Sequence, residues 1–250
     1  MNKKEIIETL NKTGFILEDK TYSILTKKNH FNQIYKNFDF TWSNTRFEVD
    51  ILGELDNFLL FIDCKKSEYL WYFPKEINQK NMYSCFTDGQ KGIKISNKET
   101  DIPSVYSDIS LKEEKSKPKP PQQEIHSKIF EFLKLLEAYL CWGIRFKDKY
   151  LIPIIVTNTD LYIVEYNSEK LDDYGNLTEE NTNLEKVDYL IYNLGIELRW
   201  DNAKQIIYPE FNDNRLNSQN NKSVFIVNVK SLPKFIDKIK GDRYYSVNTE

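Results

Sequence analysis

The sequence predicts a mixed α/β fold, and three stretches carry that prediction. One is a long run of helical period at residues 124–141. The second is a pair of apolar runs too short for helices at 152–158 and 161–166, and the third is two strands meeting at a two-residue turn between 46 and 65. The chain has 250 residues, 40% hydrophobic and 29% charged, with 15 Phe, 16 Tyr and 4 Trp. That aromatic mass suffices for a sizeable core and excludes both wholesale disorder and a miniature stapled scaffold. The 35 basic and 38 acidic residues leave a net charge of -3, so any polyanion site must be a local patch rather than a global positive field. Cys64, Cys85 and Cys141 form no CxxC pair and leave an odd thiol, which predicts a reducing compartment and argues against a disulfide framework or a cysteine zinc site. The first residues are charged and amphipathic and no stretch reaches the length of a membrane span, so a cytoplasmic protein without membrane association is expected. With His30 and His126 as its two histidines, the chain disfavours a histidine-ligated zinc hydrolase, and any chemistry falls to acids and lysines.

Residues 3–13 form a short amphipathic helix with Ile6, Ile7 and Leu10 on one face, stopped at Gly14 by a left-handed residue, and a strand starts at Phe15, Ile16 and Leu17. Residues 46–65, RFEVDILGELDNFLLFIDCK, are two strands flanking the turn pair Asp56 and Asn57. Residues 112–123, KEEKSKPKPPQQ, have the composition of a linker that cannot pack. In the helix at 124–141 the buried stripe is Ile125, Ile129, Phe132, Leu133, Leu136 and Leu140, while Glu124, Lys128, Glu131 and Lys134 decorate the solvated side. The runs at 152–158 and 161–166 are buried strands, and a strand at 223–230 and a helix at 231–240 close the chain. These elements divide into a core at 1–170, interrupted by an insertion at about 67–121, and an α/β extension at 171–250 packed on the same domain.

The hairpin at 46–65 carries the functional argument. With Asp56 and Asn57 central to a tight turn, Leu55 pairs with Phe58, Asp50 lies opposite Asp63 and Glu48 lies opposite Lys65. Side chains alternate along a strand, so these four project from one face, and the other face, from Phe47 to Cys64, holds no charged residue and is buried. Two carboxylates directly across a strand pair repel unless something positive lies between them. Magnesium fits that position, because it takes hard oxygen ligands and usually one or two protein carboxylates. Asp50 and Asp63 would hold it. Lys65 would orient the attacking water or stabilise charge on a phosphate in flight, and Glu48 would be an outer ligand or the partner of Lys65.

The sequence EVD at 48–50, followed by a turn and an apolar strand ending in Asp63, Cys64 and Lys65, resembles the PD-(D/E)xK signature of restriction-endonuclease-like nucleases. The resemblance implies an αβββαβ core with a central mixed sheet flanked by helices. It implies metal-dependent hydrolysis of phosphodiester bonds, with Asp50 and Asp63 as ligands of magnesium (manganese substituting) and Lys65 as the catalytic lysine. The expected substrate is nucleic acid, DNA ahead of RNA, in restriction or anti-phage defence, by a homodimer or with a partner subunit. Val49 replaces the proline of the family's name, the second acid is Asp, and the segment 67–121 separates the motif strand from its helix. An acid on the first helix often supports the metal in this family, and Glu5 or Glu8 qualifies by position. A rival reading is a noncatalytic member of the same fold acting as an interaction subunit, which the slightly acidic balance favours. A small-substrate phosphate hydrolase is disfavoured, since 8 Gly offer few places for a phosphate-cradling loop.

Two further features bear on nucleic acid. Tyr69, Trp71, Tyr72 and Phe73 are aromatics that stack on bases or, as the favoured reading, form a buried strand. Lys65, Lys66, the tract from Lys112 to Lys119, and Lys230, Lys234, Lys238, Lys240 and Arg243 on a basic C-terminal helix are candidates for phosphate contact.

Overall fold

A computed structural model describes residues 2–11, 13–28, 30–89, 92–107, 121–142, 149–194 and 222–241. It begins with two helices, α1 (Lys3–Asn11) and α2 (Phe15–Lys27). In α1, Asn2 and Glu5 exchange reciprocal side-chain to backbone hydrogen bonds, a capping box that fixes the start of the helix. The strand expected from Phe15 is a helix instead. Leu17, Thr21 and Leu25 recur every fourth residue and are buried along one stripe, so the apolar triplet forms a first helical turn. Gly14 is likewise right-handed (φ -64, ψ -32), and its carbonyl accepts from the Leu17 and Glu18 N–H groups, so it starts α2 rather than stopping α1.

The strands in chain order are β1 (Gln33–Trp42), β2 (Thr45–Leu55), β3 (Phe58–Lys65), β4 (Trp71–Glu76), β5 (Met82–Gly89), β6 (Gly92–Glu99), β7 (Ser104–Ser107), β8 (Tyr150–Thr157), β9 (Leu161–Tyr166), β10 (Thr182–Val187), β11 (Tyr189–Leu194) and β12 (Lys222–Asn228). Helix α3 (Pro121–Cys141) lies between β7 and β8, and helix α4 (Leu232–Gly241) follows β12. Of the linker composition at 112–123, residues 112–120 lie outside the described residues and 121–123 belong to α3, where Pro121 occupies a first-turn position needing no N–H donor.

The first three strands form an antiparallel meander. Ser43 and Asn44, both at positive φ, turn β1 into β2, and Asp56 at φ 49 with Asn57 turns β2 into β3. The predicted register holds from Leu55↔Phe58 to Ile51↔Ile62. β3 then runs parallel to β8, from Phe58↔Tyr150 to Lys65↔Thr157, and β8 runs parallel to β12. The larger sheet has the order β1-β2-β3-β8-β12-β11-β7, with the β5–β6 hairpin attached through β5 to β8, and a second sheet has the order β10-β9-β4. β8 is buried at every position, as a parallel strand covered on both faces must be.

Two apolar clusters sandwich the larger sheet. On one face α3 and the inward residues of the small sheet pack together, with Phe61 against Phe132 and Tyr139 at centroid distances of 5.7 and 4.9 Å. On the other face α2 and α4 pack together, with Phe235 5.2 Å from both Phe225 and Tyr189. The single buried face expected for the hairpin is divided between these clusters. Phe47 and Val49 join the α3 side, whereas Ile51, Leu55, Phe58, Leu60, Ile62 and Cys64 join the α2 side. Leu52, Leu59 and Phe61, on the opposite face from Ile51, Leu60 and Ile62, are also buried under α3, so both faces of β2 and β3 are core. Among the described residues no helix is long and apolar enough to cross a membrane.

Candidate functional site

Asp50, Asp63 and Lys65 meet at the carboxyl end of β3. The β2–β3 ladder ends at Ile51↔Ile62, and one residue further the Asp50 side chain takes over from the backbone: its Oδ2 accepts the Cys64 N–H at 2.6 Å. Asp63 and Lys65 share the α3 side of β3 with Phe61, and Lys65 Nζ lies 2.9 Å from Asp63 Oδ2. Asp63 is 4% exposed, and its Oδ2 accepts no well-directed hydrogen bond despite the nearby ammonium. Cys64 between them is a free, buried thiol facing the other cluster.

Burial first, and then the negative charge of Asp63, push the Asp50 carboxyl up to about 8, against the lowering pull of the Cys64 N–H; Asp63 lies within hydrogen-bonding reach and raises it further. Burial works to lower the Lys65 ammonium, yet Asp63, Asp50 and Glu131 outweigh it and hold the lysine above its ordinary value, so it is a cation at neutral pH. Burial pushes the Cys64 thiol well up, with Asp50, Asp63 and Glu18 adding to it, so this sulfur is not a nucleophile near neutrality.

Glu48 is exposed, and among the described residues the ion pair of Lys65 is with Asp63 rather than with Glu48. Its strand neighbour is Asp39 of β1, which forms a bidentate pair with Arg46. Glu5 is occupied in the cap of α1, and Glu8 pairs with Lys4 one turn away. Of the acids on the first two helices, the one that reaches the cluster is Glu18 of α2. Its carboxyl is raised by burial and by Glu48, Asp19 and Asp63, with Lys36 opposing, and its charge is felt by Asp50 and Cys64. The sequence signal for Glu18 was the stripe of Leu17, Thr21 and Leu25, which orients α2 on the sheet.

Lys128 and Glu131, expected as solvated decoration, stand at the same end of β3: Lys128 is partly buried and its Nζ donates to the Lys66 carbonyl, whereas Glu131 is exposed as expected and its charge acts on Lys65. The C-terminal lysines lie against acids. Lys234 meets Asp188, Lys238 meets Asp101, and Lys240 lies 4.0 Å from Asp56, so the basic helix is largely neutralised. Arg243 and the tract from Lys112 to Lys119 lie outside the described residues, as do the side chains of Cys85, Cys141 and His126. Of the aromatic run, Trp71 and Phe73 are core, whereas Tyr69 and Tyr72 are exposed, and Tyr72 stacks on Tyr162 at 5.5 Å.

Two adjacent carboxyls, one with a buried oxygen that accepts no hydrogen bond, make a hard-oxygen donor pair suited to a small divalent cation. No group of three or more His, Cys, Asp or Glu side chains arranged to hold a metal occurs among the described residues, so protein ligation here would rest on Asp50 and Asp63. Comparison with family models, curated proteins and solved structures returned no match.

Proposed function

We propose that this protein is a metal-dependent nuclease that hydrolyses phosphodiester bonds, DNA ahead of RNA, with its active site at Asp50, Asp63 and Lys65. The observation that carries this reading is the close carboxyl pair, Asp63 buried and Asp50 partly buried, with a lysine cation 2.9 Å from Asp63. The surrounding order supports it: α2, an antiparallel β1-β2-β3 meander, then α3 and the parallel strand β8 follow the αβββαβ sequence that the PD-(D/E)xK resemblance implies. Asp50 and Asp63 would hold magnesium or manganese, which when bound supplies Lewis-acid stabilisation and a more acidic water. Lys65, kept protonated by its acidic neighbours, would hold the attacking water or the phosphate oxygen on which charge builds. Glu18 and Glu131 would tune that lysine and the carboxyl pair from the two helices. A defence role, as restriction or anti-phage activity, belongs to this proposal through the resemblance alone.

The second reading, a noncatalytic interaction subunit of the same fold, is favoured by one observation: the lysines of α4 are opposed by aspartates, which leaves that helix little cation for a phosphate backbone. Calorimetric titration with manganese, followed by cleavage assays on single- and double-stranded DNA and RNA, separates the two. The nuclease reading expects millimolar or tighter binding and metal-dependent cleavage in wild type, and loss of both in a folded Asp63→Asn variant. Cleavage that survives Asp63→Asn overturns the assignment of the active site to this carboxyl pair, and nucleic-acid or partner binding with no cleavage in wild type favours the interaction subunit.

A further inference from the structure

Four non-glycine residues have positive φ among the described residues; Ser43, Asn44 and Asp56 sit in two-residue turns, and the fourth, Asn37 at φ 54, lies inside strand β1. Its position in the ladder is specific. Lys36 pairs with Ile51 and Phe38 pairs with Val49, so Asn37 stands opposite Asp50. The side chains on either side show what the left-handed residue does. Before it, Ile34 packs with the α2 cluster and Lys36 reaches Asp19 of α2; after it, Phe38, Phe40 and Trp42 pack with the α3 cluster, although all are even-numbered residues of one strand. β2 follows the same change, with Ile51 and Leu55 on the α2 side and Val49 and Phe47 on the α3 side. An extended strand keeps alternate residues on one face, so this exchange marks a rotation of the hairpin at Asn37 and Asp50.

We propose that Asn37 is a positioning residue for Asp50: its left-handed backbone rotates the β1–β2 hairpin away from β3 and thereby aims the Asp50 carboxylate across the end of β3. This inference rests on the reading of Asp50 and Asp63 as the active carboxyl pair for its functional meaning, and on backbone geometry for its mechanism. Because β2 leaves β3 after Ile51↔Ile62, the Cys64 N–H has no strand partner, and Asp50 Oδ2 takes it at 2.6 Å. That bond fixes the carboxyl beside Asp63. Had β1 continued as a regular strand, β2 would have kept its ladder with β3, the backbone of Val49 would have taken the Cys64 N–H, and residue 50 would have stood directly across from Asp63 with no bond to Cys64. Asparagine is the side chain, after glycine, that enters the left-handed region most readily, so its presence inside an otherwise extended strand matches the backbone it adopts. Strained backbone of this kind persists where the surrounding structure holds it, and it collects at functional sites.

The test compares Asn37→Gly, which keeps access to positive φ, with Asn37→Val, whose β-branch disfavours it. Two readouts on the full chain are needed: hydrogen exchange of the Cys64 amide by NMR, and manganese affinity by calorimetry. Asn37→Gly should match wild type in both. Asn37→Val should expose the Cys64 amide about tenfold, the loss expected of one hydrogen bond, while the amides of Leu60 and Ile62 stay protected. It should also weaken manganese by about tenfold to a hundredfold, as loss of an orienting group does. Unchanged Cys64 protection in a folded Asn37→Val variant overturns the proposal, as does equal loss in Asn37→Gly, which would assign the effect to the amide side chain. Should Asn37→Val fail to fold, Asn37→Ala takes its place against Asn37→Gly: loss of Cys64 protection in the alanine variant alone supports the proposal, and unchanged protection overturns it. If wild type itself binds no manganese, the metal reading fails on its own, and the Cys64 amide still decides the role of Asn37.

Discussion

Asp50 gives the site its pH behaviour. Its carboxyl is held up to about 8 by burial and by Asp63, against an ordinary value of 3.8 in the unfolded chain. Between those limits the folded protein keeps a proton that the unfolded chain releases, so the unfolded state is increasingly favoured as pH rises from about 4 to about 8, with no further change above. Each unit of separation corresponds to about 1.4 kcal/mol, so the wild-type protein should lose a few kcal/mol of stability across this window. Asp50→Asn cannot ionise and can still accept the Cys64 N–H, so its stability should fall much less between pH 5 and pH 8. Denaturant midpoints at the two pH values for both proteins check this, and parallel slopes would mean that Asp50 does not carry the buried proton. Lys65 is coupled to the same cluster. Replacing it by Met leaves Asp63, 4% exposed, without its cation, and should cost about 1–3 kcal/mol at pH 8 even though the lysine itself is partly exposed.

At the scale of elements, what the sequence discloses is what local chemistry fixes. The β2–β3 register follows from Asp56 and Asn57, α3 from its apolar stripe, and β8 and β9 from runs too short to be helices, and each of these is read within a dozen or so neighbouring residues. Asp50, Asp63 and Lys65 were legible for the same reason: one hairpin carries all three. The errors fall where distant contacts decide. α2 begins with three consecutive apolar residues, which imitate a strand, while its buried stripe runs through a threonine and so shows only two apolar members, Leu17 and Leu25. The exchange of faces in β1 and β2 turns on one backbone angle at Asn37, and hydrophobic alternation has no means of reporting it. Glu18 and Glu131 reach the site on separate helices, so neither is visible from the motif. Since α2 is held by its stripe rather than by a cap side chain, Leu25→Ala should destabilise the protein by about 2–5 kcal/mol, read as a lower denaturant midpoint with an unchanged slope. A change under about 0.5 kcal/mol, the range of surface substitutions, would contradict the packing of α2 on the sheet.

At the scale of the whole molecule, chain order and spatial order diverge most at the C-terminal end. β12 lies between β8 and β11 inside the larger sheet, and β7, far earlier in the chain, forms the next strand beyond β11. The motif strand β3 is therefore supported through β8 by a strand 164 residues further along, since Phe58 begins β3 and Lys222 begins β12. Composition could show an apolar strand at 223–230 but not its place, because strand order is set by pairing across the sheet rather than by any local pattern. The consequence is testable by truncation. Helix α4 buries Leu232, Phe235, Ile236 and Ile239 on the face shared with α2, and each fully buried side chain of this size is worth about 1.5–3 kcal/mol. Four of them together amount to about 6–12 kcal/mol, comparable with the whole stability of an ordinary domain. A chain ending at residue 230 should therefore lack a cooperative unfolding transition, and one ending at 221, which also strips β12 from β8, should not fold at all. Circular dichroism and calorimetric melts of the two truncations against the full chain make the comparison. A cooperative transition in the 221-residue chain would mean that the α/β core carrying Asp50, Asp63 and Lys65 stands without its C-terminal strand and helix, and that the pairing of β12 with β8 adds little to holding the site together.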